Sequence, residues 1–405
     1  MVSILTRSFG FENLSLAEDV VQDALLQAMR QWPFKGVPSN PSAWLIQVAR
    51  NRALDMLRRQ QNFRIKQDAI AEFLEHGGTS AAPAAAQFED EIRDDQLRMM
   101  FACCHPALPN EAQVALTLKT LCGFNEKEIA AAFLTSSVAI TKRLMRARQK
   151  IRETAIALEI PAGTELLNRL DAILQTLYLL FNEGYKASQG DELVRRDLCE
   201  EAIRLATLLA EHPAGDQPKT HALLALMLFN AARLRSRADA EGNIHLLAQQ
   251  DRTLWNRQMI DHGLAHLNQS AAGTEISEFH LEAGIASCHC AAPNYEATDW
   301  GRILSLYDML IDLNPSPVIA LNRAVALANV EGAAMGLSAV ESIEPRDLLE
   351  NYYLFHAVLG QFHLELKNFE EAAHRFRRAA QLTGSKSEQA FLQRKLAESV
   401  EALNR

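Results

Sequence analysis

Thr135-Ser136-Ser137-Val138-Ala139-Ile140-Thr141-Lys142-Arg143-Leu144-Met145-Arg146-Ala147-Arg148-Gln149-Lys150-Ile151-Arg152-Glu153 sets six cations against one acid, in a chain whose formal net charge is −9. Ile140, Leu144, Ala147 and Ile151 recur at steps of four, three and four, which is one apolar stripe on a helix. The stripe must pack on a neighbour, and one stands immediately upstream. Glu126 to Phe133 reads as a short helix, opened by Asn125 and Glu128 at the spacing of a capping box. Leu134-Thr135-Ser136 is a three-residue turn. Short helix, turn and basic helix together predict a helix-turn-helix, which lays its second helix in the DNA major groove. Ser137, Thr141, Lys142 and Arg143, near the N-terminus of that helix, are candidates for base edges. Arg146, Arg148 and Lys150 are candidates for phosphates, which supply salt-dependent affinity without sequence information. The cations lack acidic partners at i,i+4, which argues against an ordinary solvated helix face.

A second basic segment lies upstream. Between Ser42 and Lys66, Arg50, Arg52, Arg58, Arg59, Arg64 and Lys66 stand against Asp55. Trp44, Leu45, Val48, Leu54 and Leu57 supply its buried side, so Arg50-Asn51 and Arg58-Arg59 can face a phosphate backbone, with Asn51 able to hydrogen-bond an exposed base. Ser42 or Asn40 is a plausible cap for this helix. Upstream again, a helical pattern runs from Leu16 to Gln31, followed by a Pro/Gly break from Phe34 to Pro41.

The remaining composition bounds the fold. A chain of 405 residues is too long for one ordinary domain. Alanine and leucine dominate, and no long run of alternating β-branched residues occurs, so an all-α fold is predicted. The acidic balance excludes a protein that coats nucleic acid with its whole surface, and leaves local basic patches as the candidates. Without a signal peptide or an eighteen-residue apolar run, the six cysteines are expected to be reduced and the protein cytoplasmic, with no membrane partner. His76 to Ala86 has the composition of a tether. Beyond Pro161 amphipathic helices follow one another. Leu359, Gly360, Ala372, Phe376 and Ala379 fall at tetratricopeptide (TPR) spacing, Ala324, Gly336 and Val340 echo it, and Tyr307 with Pro315 echoes its second half. The expectation is a TPR-like helical repeat; the competing one is a generic helical bundle.

Together these features resemble an extracytoplasmic-function (ECF) sigma factor of RNA polymerase. Leu16 to Leu25 is similar to the family's first conserved region, with its Asp-x-x-Gln motif at Asp19 and Gln22; the resemblance implies that Asp19, Gln22 and Asp23 contact core RNA polymerase. Trp44 to Arg59 resembles the promoter-melting helix, implying that Arg50, Asn51, Arg58 and Arg59 handle the opened minus-ten element of promoter DNA, with the Phe34 to Pro41 loop lining a pocket for a flipped base. Arg143 to Arg148 resembles the end of the domain that reads the minus-thirty-five element. The implied domains are 1–66 for region 2, 67–92 for a linker, 93–158 for region 4, and 161–405 for the helical extension. The family usually has further helix before Asp-x-x-Gln, so the first helix of the core-binding domain is expected to be short or missing, or the start codon to lie upstream. Leu177 to Tyr185 and Phe101 to Pro106 resemble a subgroup whose TPR-like extension modulates sigma activity, with an unknown protein or small molecule as its partner. A second reading is a TPR-type adaptor with a degenerate sigma-like half.

Other chemistry finds little support. Cys103-Cys104-His105, with Cys122, and Cys288-His289-Cys290 lack the spacing of a zinc site, because adjacent cysteines on a helix point about 100° apart. Buried small side chains are expected there, with no metal and no cofactor. Glu183 in Asn182-Glu183-Gly184-Tyr185 is a conceivable acid, but no hydrolase or nucleotide motif accompanies it. That stretch reads as a turn or part of a ligand groove between helices, and no enzymatic activity is expected.

Overall fold

Alanine-rich amphipathic segments fold here as helices. The structure is a computed structural model that describes residues 1–59, 95–133, 135–159, 161, 164–186, 194–239, 243–345 and 348–404. Among the described residues every regular element is helical, and an isolated bridge joins Ala238 to Ile244. The fold is all-α. The chain divides into two compact units, Met1–Leu177 and Tyr178–Arg405.

The first unit opens with α1 (Val2–Phe9), α2 (Leu14–Lys35) and α3 (Pro41–Arg59). The helix ahead of the Asp-x-x-Gln segment is therefore present, and short. Leu5, Phe9, Ala17, Val20 and Ala24 form a core with Ala49 and Ala53, the two alanines fully buried where α3 crosses α2. Trp44 packs on Trp32, ring centroids 5.6 Å apart. Of the two possible caps for α3, Asn40 is the one in place: its Oδ1 accepts from the Ala43 amide at 3.0 Å. The break before it is shorter than the sequence indicated. Helix α2 runs through Phe34 to Lys35 and stops at Gly36, whose φ of 80° ends the helix without steric penalty.

After the undescribed 60–94 come α4 (residues 95–103), α5 (Asn110–Thr120), α6 (Glu126–Ala132), α7 (Ser137–Thr154) and α8 (Thr164–Tyr185). Helix α5 is buried almost all round, from Ala112 to Leu118. Gln113 donates to the carbonyls of His105 (3.0 Å) and Leu108 (2.8 Å), satisfying the turn between α4 and α5. Buried Arg169 donates to the Phe101 carbonyl at 2.8 Å, and Leu170, Ile173 and Leu174 are fully buried. Residues beyond Pro161 thus pack within the first unit, and the division falls inside α8 rather than ahead of it. Asn182 to Tyr185, read from sequence as a turn between helices, is the last turn of α8.

The second unit continues with α9 (Arg196–Glu211), α10 (Pro218–Ala232), α11 (Arg257–Ser270), α12 (Glu278–Ala291), α13 (Trp300–Leu313), α14 (Pro317–Glu331), α15 (Ala333–Glu341), α16 (Tyr353–Glu365), α17 (Phe369–Leu382) and α18 (Lys386–Leu403). Neighbours in sequence pack as neighbours in space, and α10, buried on nearly every side, packs on α11 and α12. The small residues singled out by spacing stand at close approaches. A Cβ on Gly360 would come within 2.9 Å of the Phe376 ring, and one on Gly336 within 2.6 Å of the Ala328 Cβ. Ala372, Phe376 and Ala379 are buried. Gly336→Ala raises helix propensity but forces two backbones apart. It is expected to lower stability by about 1–3 kcal/mol, read as a fall in the midpoint of thermal unfolding.

Candidate nucleic-acid interface

Helix α7 is fixed at its start and along one side. Ser136 Oγ accepts from the Ala139 amide at 3.2 Å. Upstream, Asn125 Oδ1 accepts from the amides of Lys127 (2.9 Å) and Glu128 (3.0 Å), while Glu128 Oε2 accepts from the Asn125 amide (2.8 Å), which completes the expected capping box on α6. Ile140, Leu144, Ala147 and Ile151 are 0, 2, 3 and 1% exposed, so the whole predicted stripe is inside. Exposed on the helix are the cations Lys142, Arg146, Lys150 and Arg152, with Val138, Thr141, Met145, Gln149, Glu153 and Thr154 among them. Ser137 is half-buried, and its carbonyl accepts from Thr141 Oγ1 at 3.0 Å, which leaves the hydroxyl oxygen of Thr141 outward as an acceptor.

Arg143 and Arg148 differ from the other cations because each is held by an acid of the first unit. Arg143 pairs with Glu111 and lies over the Phe133 ring at 5.2 Å. Arg148 pairs with Glu18 of α2 at 2.7 Å, and the other oxygen of Glu18 accepts from Thr120 Oγ1 at 2.9 Å. Arg7 of α1 reaches Asp95 of α4 at 3.1 Å, giving a second polar tie between the N-terminal helices and those that follow. Sequence spacing gave no sign of the Arg148 partner, because 130 residues separate it from Glu18.

On α2, Asp19 and Gln22 are exposed. Asp23 is exposed too, but forms an ion pair with Arg52 at 2.5 Å, and Arg52 also donates to Gln27 at 3.2 Å. Sequence reasoning overlooked the apolar residues beside them. Leu25 and Leu26 are each 45% exposed, Met29 72%, and Phe34 88%. Gln22, Leu26 and Met29 recur at steps of four and three, so they share one face of α2. The signal was available as surplus leucines on a helix already supplied with a core side. On α3, Arg50 is half-buried and its pKa is lowered by that burial, while Asn51 is exposed and accepts from Gln47 at 3.0 Å. Arg58 and Arg59 occupy the last turn of α3, but their side chains lie outside the described residues, as do Arg64, Lys66 and the linker 67–92.

Five of the six cysteines are packing residues, and Cys122 is half-buried. Cys103, Cys104, Cys199, Cys288 and Cys290 are buried, and burial pushes the Cys104 thiol up to about 12 while Thr117 hydrogen-bonds it at 3.8 Å. Among the described residues no three potential metal ligands cluster, and no helix is long and apolar enough to cross a membrane.

Residues 2–63 match the family model of Sigma-70 region 2, and residues 98–151 that of Sigma-70, region 4. The ECF RNA polymerase sigma-E factor of Escherichia coli K12 is 33% identical over 139 residues, which cover 33% of this chain and 70% of that protein. The chain belongs to the ECF sigma factor family. Sigma factors are non-catalytic transcription initiation factors. The ECF sigma factor SigG of Mycobacterium tuberculosis is 27% identical over 194 residues, covering 44% of the chain and 51% of that protein. An uncharacterized protein of Rhizobium meliloti is 39% identical over 390 residues, 95% of the chain and 90% of that protein, so its similarity extends through the C-terminal unit as well. Residues 169–271 match a family of unknown function (DUF6596). No solved structure matches.

Within this sigma factor the Glu18–Arg148 pair withholds a cation from the surface that α7 presents. Glu18→Gln keeps the hydrogen bond from Thr120 and removes the charge. It is expected to tighten binding of the free protein to non-specific duplex DNA by about fivefold, the worth of roughly 1 kcal/mol. Fluorescence-anisotropy titration at low salt measures it.

Proposed function

We propose that this sigma factor directs core RNA polymerase to specific promoters by using α7 at the upstream element and α3 at the opened minus-ten element. The observation that carries the reading is the outward face of α7, where Lys142, Arg146 and Lys150 stand clear of solvent-excluded packing while the opposite stripe is buried. Ser137, Thr141, Lys142 and Arg143 would meet base edges, and Arg146 and Arg148 phosphates. Arg50, Asn51, Arg58 and Arg59 would hold the opened strand. The exposed ring of Phe34, beside Gly36, offers a stacking surface to an unpaired base.

Asp19 and Gln22, continued by Leu25, Leu26 and Met29, form an acidic-to-apolar face suited to a helical partner, and we assign core polymerase to it. Asp23, already paired with Arg52, would act by fixing the α2–α3 crossing. The minus-ten and minus-thirty-five elements lie about 25 base pairs apart, or roughly 85 Å at 3.4 Å per base pair. Glu18 and Arg148 touch, so the paired arrangement belongs to the free protein and opens when both elements are engaged. The helical extension, 161–405, would modulate that opening in the cytoplasm, through a protein or small-molecule ligand.

Run-off transcription with core polymerase tests the reading. Wild type is expected to give promoter-specific transcripts, and Lys142→Ala with Arg146→Ala to reduce them at least tenfold. The same double variant should flatten the dependence of log affinity on log salt by about 1, close to 0.9 for the one phosphate contact it removes, that of Arg146. Absence of promoter-specific transcripts, together with failure to capture core polymerase, would favour a TPR-type adaptor instead.

A further inference from the structure

The second unit carries an open cavity of about 290 Å³ lined by Tyr178 of α8 and by α10, α12, α13 and α14. Leu226, Ile285, Leu310 and Ile319 give it apolar wall, and polar groups make up the larger share of the lining. At one end Arg233, only 9% exposed, donates from Nη2 to Asn230 Oδ1 (2.5 Å) and to the Tyr185 hydroxyl (3.3 Å), while its Nε is buried with no hydrogen-bond partner. His289 lies at the same end, and its Nδ1 is likewise buried without a partner. Burial, together with the charges of Arg233 and Arg252, pushes His289 down to about 3, so it is a neutral ring with an unused nitrogen.

The opposite end is acidic. Glu282 accepts from the Tyr178 hydroxyl at 3.2 Å, with Tyr307 beside it. Burial raises Glu282 to about 7, so it still ionises near neutral pH. Among the described residues no cation reaches ion-pair distance of Glu282, and no carboxylate does so of Arg233. Two opposite charges therefore share one cavity without neutralising each other. A buried donor left unmade is expensive, and a ligand that accepts from it would recover that cost.

The spacing sets the ligand's length. Glu282 and His289 are seven residues apart on α12, two turns and about 10 Å along the axis. An extended tripeptide spans about the same distance at 3.3–3.6 Å per residue. We propose that this cavity binds a short zwitterionic peptide of about three residues, its ammonium group on Glu282 and its carboxylate on Arg233 and Asn230. Leu226, Ile285, Leu310 and Ile319 would take the central side chain, and Asn322, an exposed lining residue, can hydrogen-bond the peptide backbone. This inference does not depend on the promoter-directing role.

Isothermal titration of the full-length protein with Ala-Leu-Ala tests it, alongside the N-acetylated and the C-amidated forms. Saturable binding of the free tripeptide is expected, with each blocked form weakened at least about tenfold, as loss of a charged hydrogen bond requires. Glu282→Gln, nearly isosteric, should weaken the free tripeptide by a similar factor and leave the N-acetylated form unchanged. Arg233→Lys should do the converse with the amidated form. Because Arg233 also lies 5.8 Å from the Trp255 ring, thermal unfolding must accompany that variant, and Glu282→Gln carries the test if it fails to fold. No saturable heat with millimolar Ala-Leu-Ala, or equal binding of all three forms, overturns the proposal.

Discussion

The packing of Ile140, Leu144, Ala147 and Ile151 against the neighbouring helices is the constraint on which the rest turns. A helix has one circumference. Once four apolar side chains claim one side, every cation on that helix is pushed to the remainder, and the direction in which charge is presented is settled by burial rather than by electrostatics. The caps at Ser136 and Asn125 then fix where the helix starts and how sharply it departs from α6. Charge decides only what such a surface attracts; hydrophobic packing decides that there is a surface at all.

Much of this was written in local sequence. The α7 stripe, the capping box at Asn125 and Glu128 and the cap at Asn40 each depend on neighbours within a turn or two, so spacing revealed them, while Gly336 and Gly360 were marked by repeat spacing although their contacts, Ala328 and Phe376, stand on other helices. Periodicity also gave the all-α class. What spacing could not reveal was partnership at long range. Glu18 and Arg148, Arg143 and Glu111, and Asp23 and Arg52 are joined by the tertiary fold, and nothing near either partner announces the other. The division of the chain was blurred for a related reason: α8 is one continuous helix, and a helical pattern carries no mark of where its packing partners change. The stretch Asn182 to Tyr185 misled because an Asn and a Gly two residues apart look like a turn, whereas Gly184 is there for room: a Cβ on it would meet the Cys199 backbone at 2.7 Å.

In the first unit the N-terminal helices and α7 are tied by polar contacts, beside packing of the Phe11 to Asn13 turn on α7. Glu18 is the hinge point of that arrangement, since a single carboxylate accepts from both Thr120 and Arg148. Ion pairs at partly exposed positions contribute about 1 kcal/mol or less, so a contact of this kind is easily exchanged for another anion. The region-4 helices are meanwhile well filled internally, with α5 buried along its length. Strong packing within modules and weak ties between them are what a protein needs if its parts must separate intact.

The alanines at the crossing of α2 and α3 have a mechanical consequence. Ala17 and Ala24 of α2 share one buried cluster with Ala49 and Ala53 of α3, and Val20, Leu45 and Val48 fill the space around these small residues, so the crossing leaves little slack to absorb displacement. The outward faces of the two helices, Gln22 with Met29 on one and Asn51 on the other, therefore behave as one rigid lever. A push on either is delivered undiminished to its opposite side.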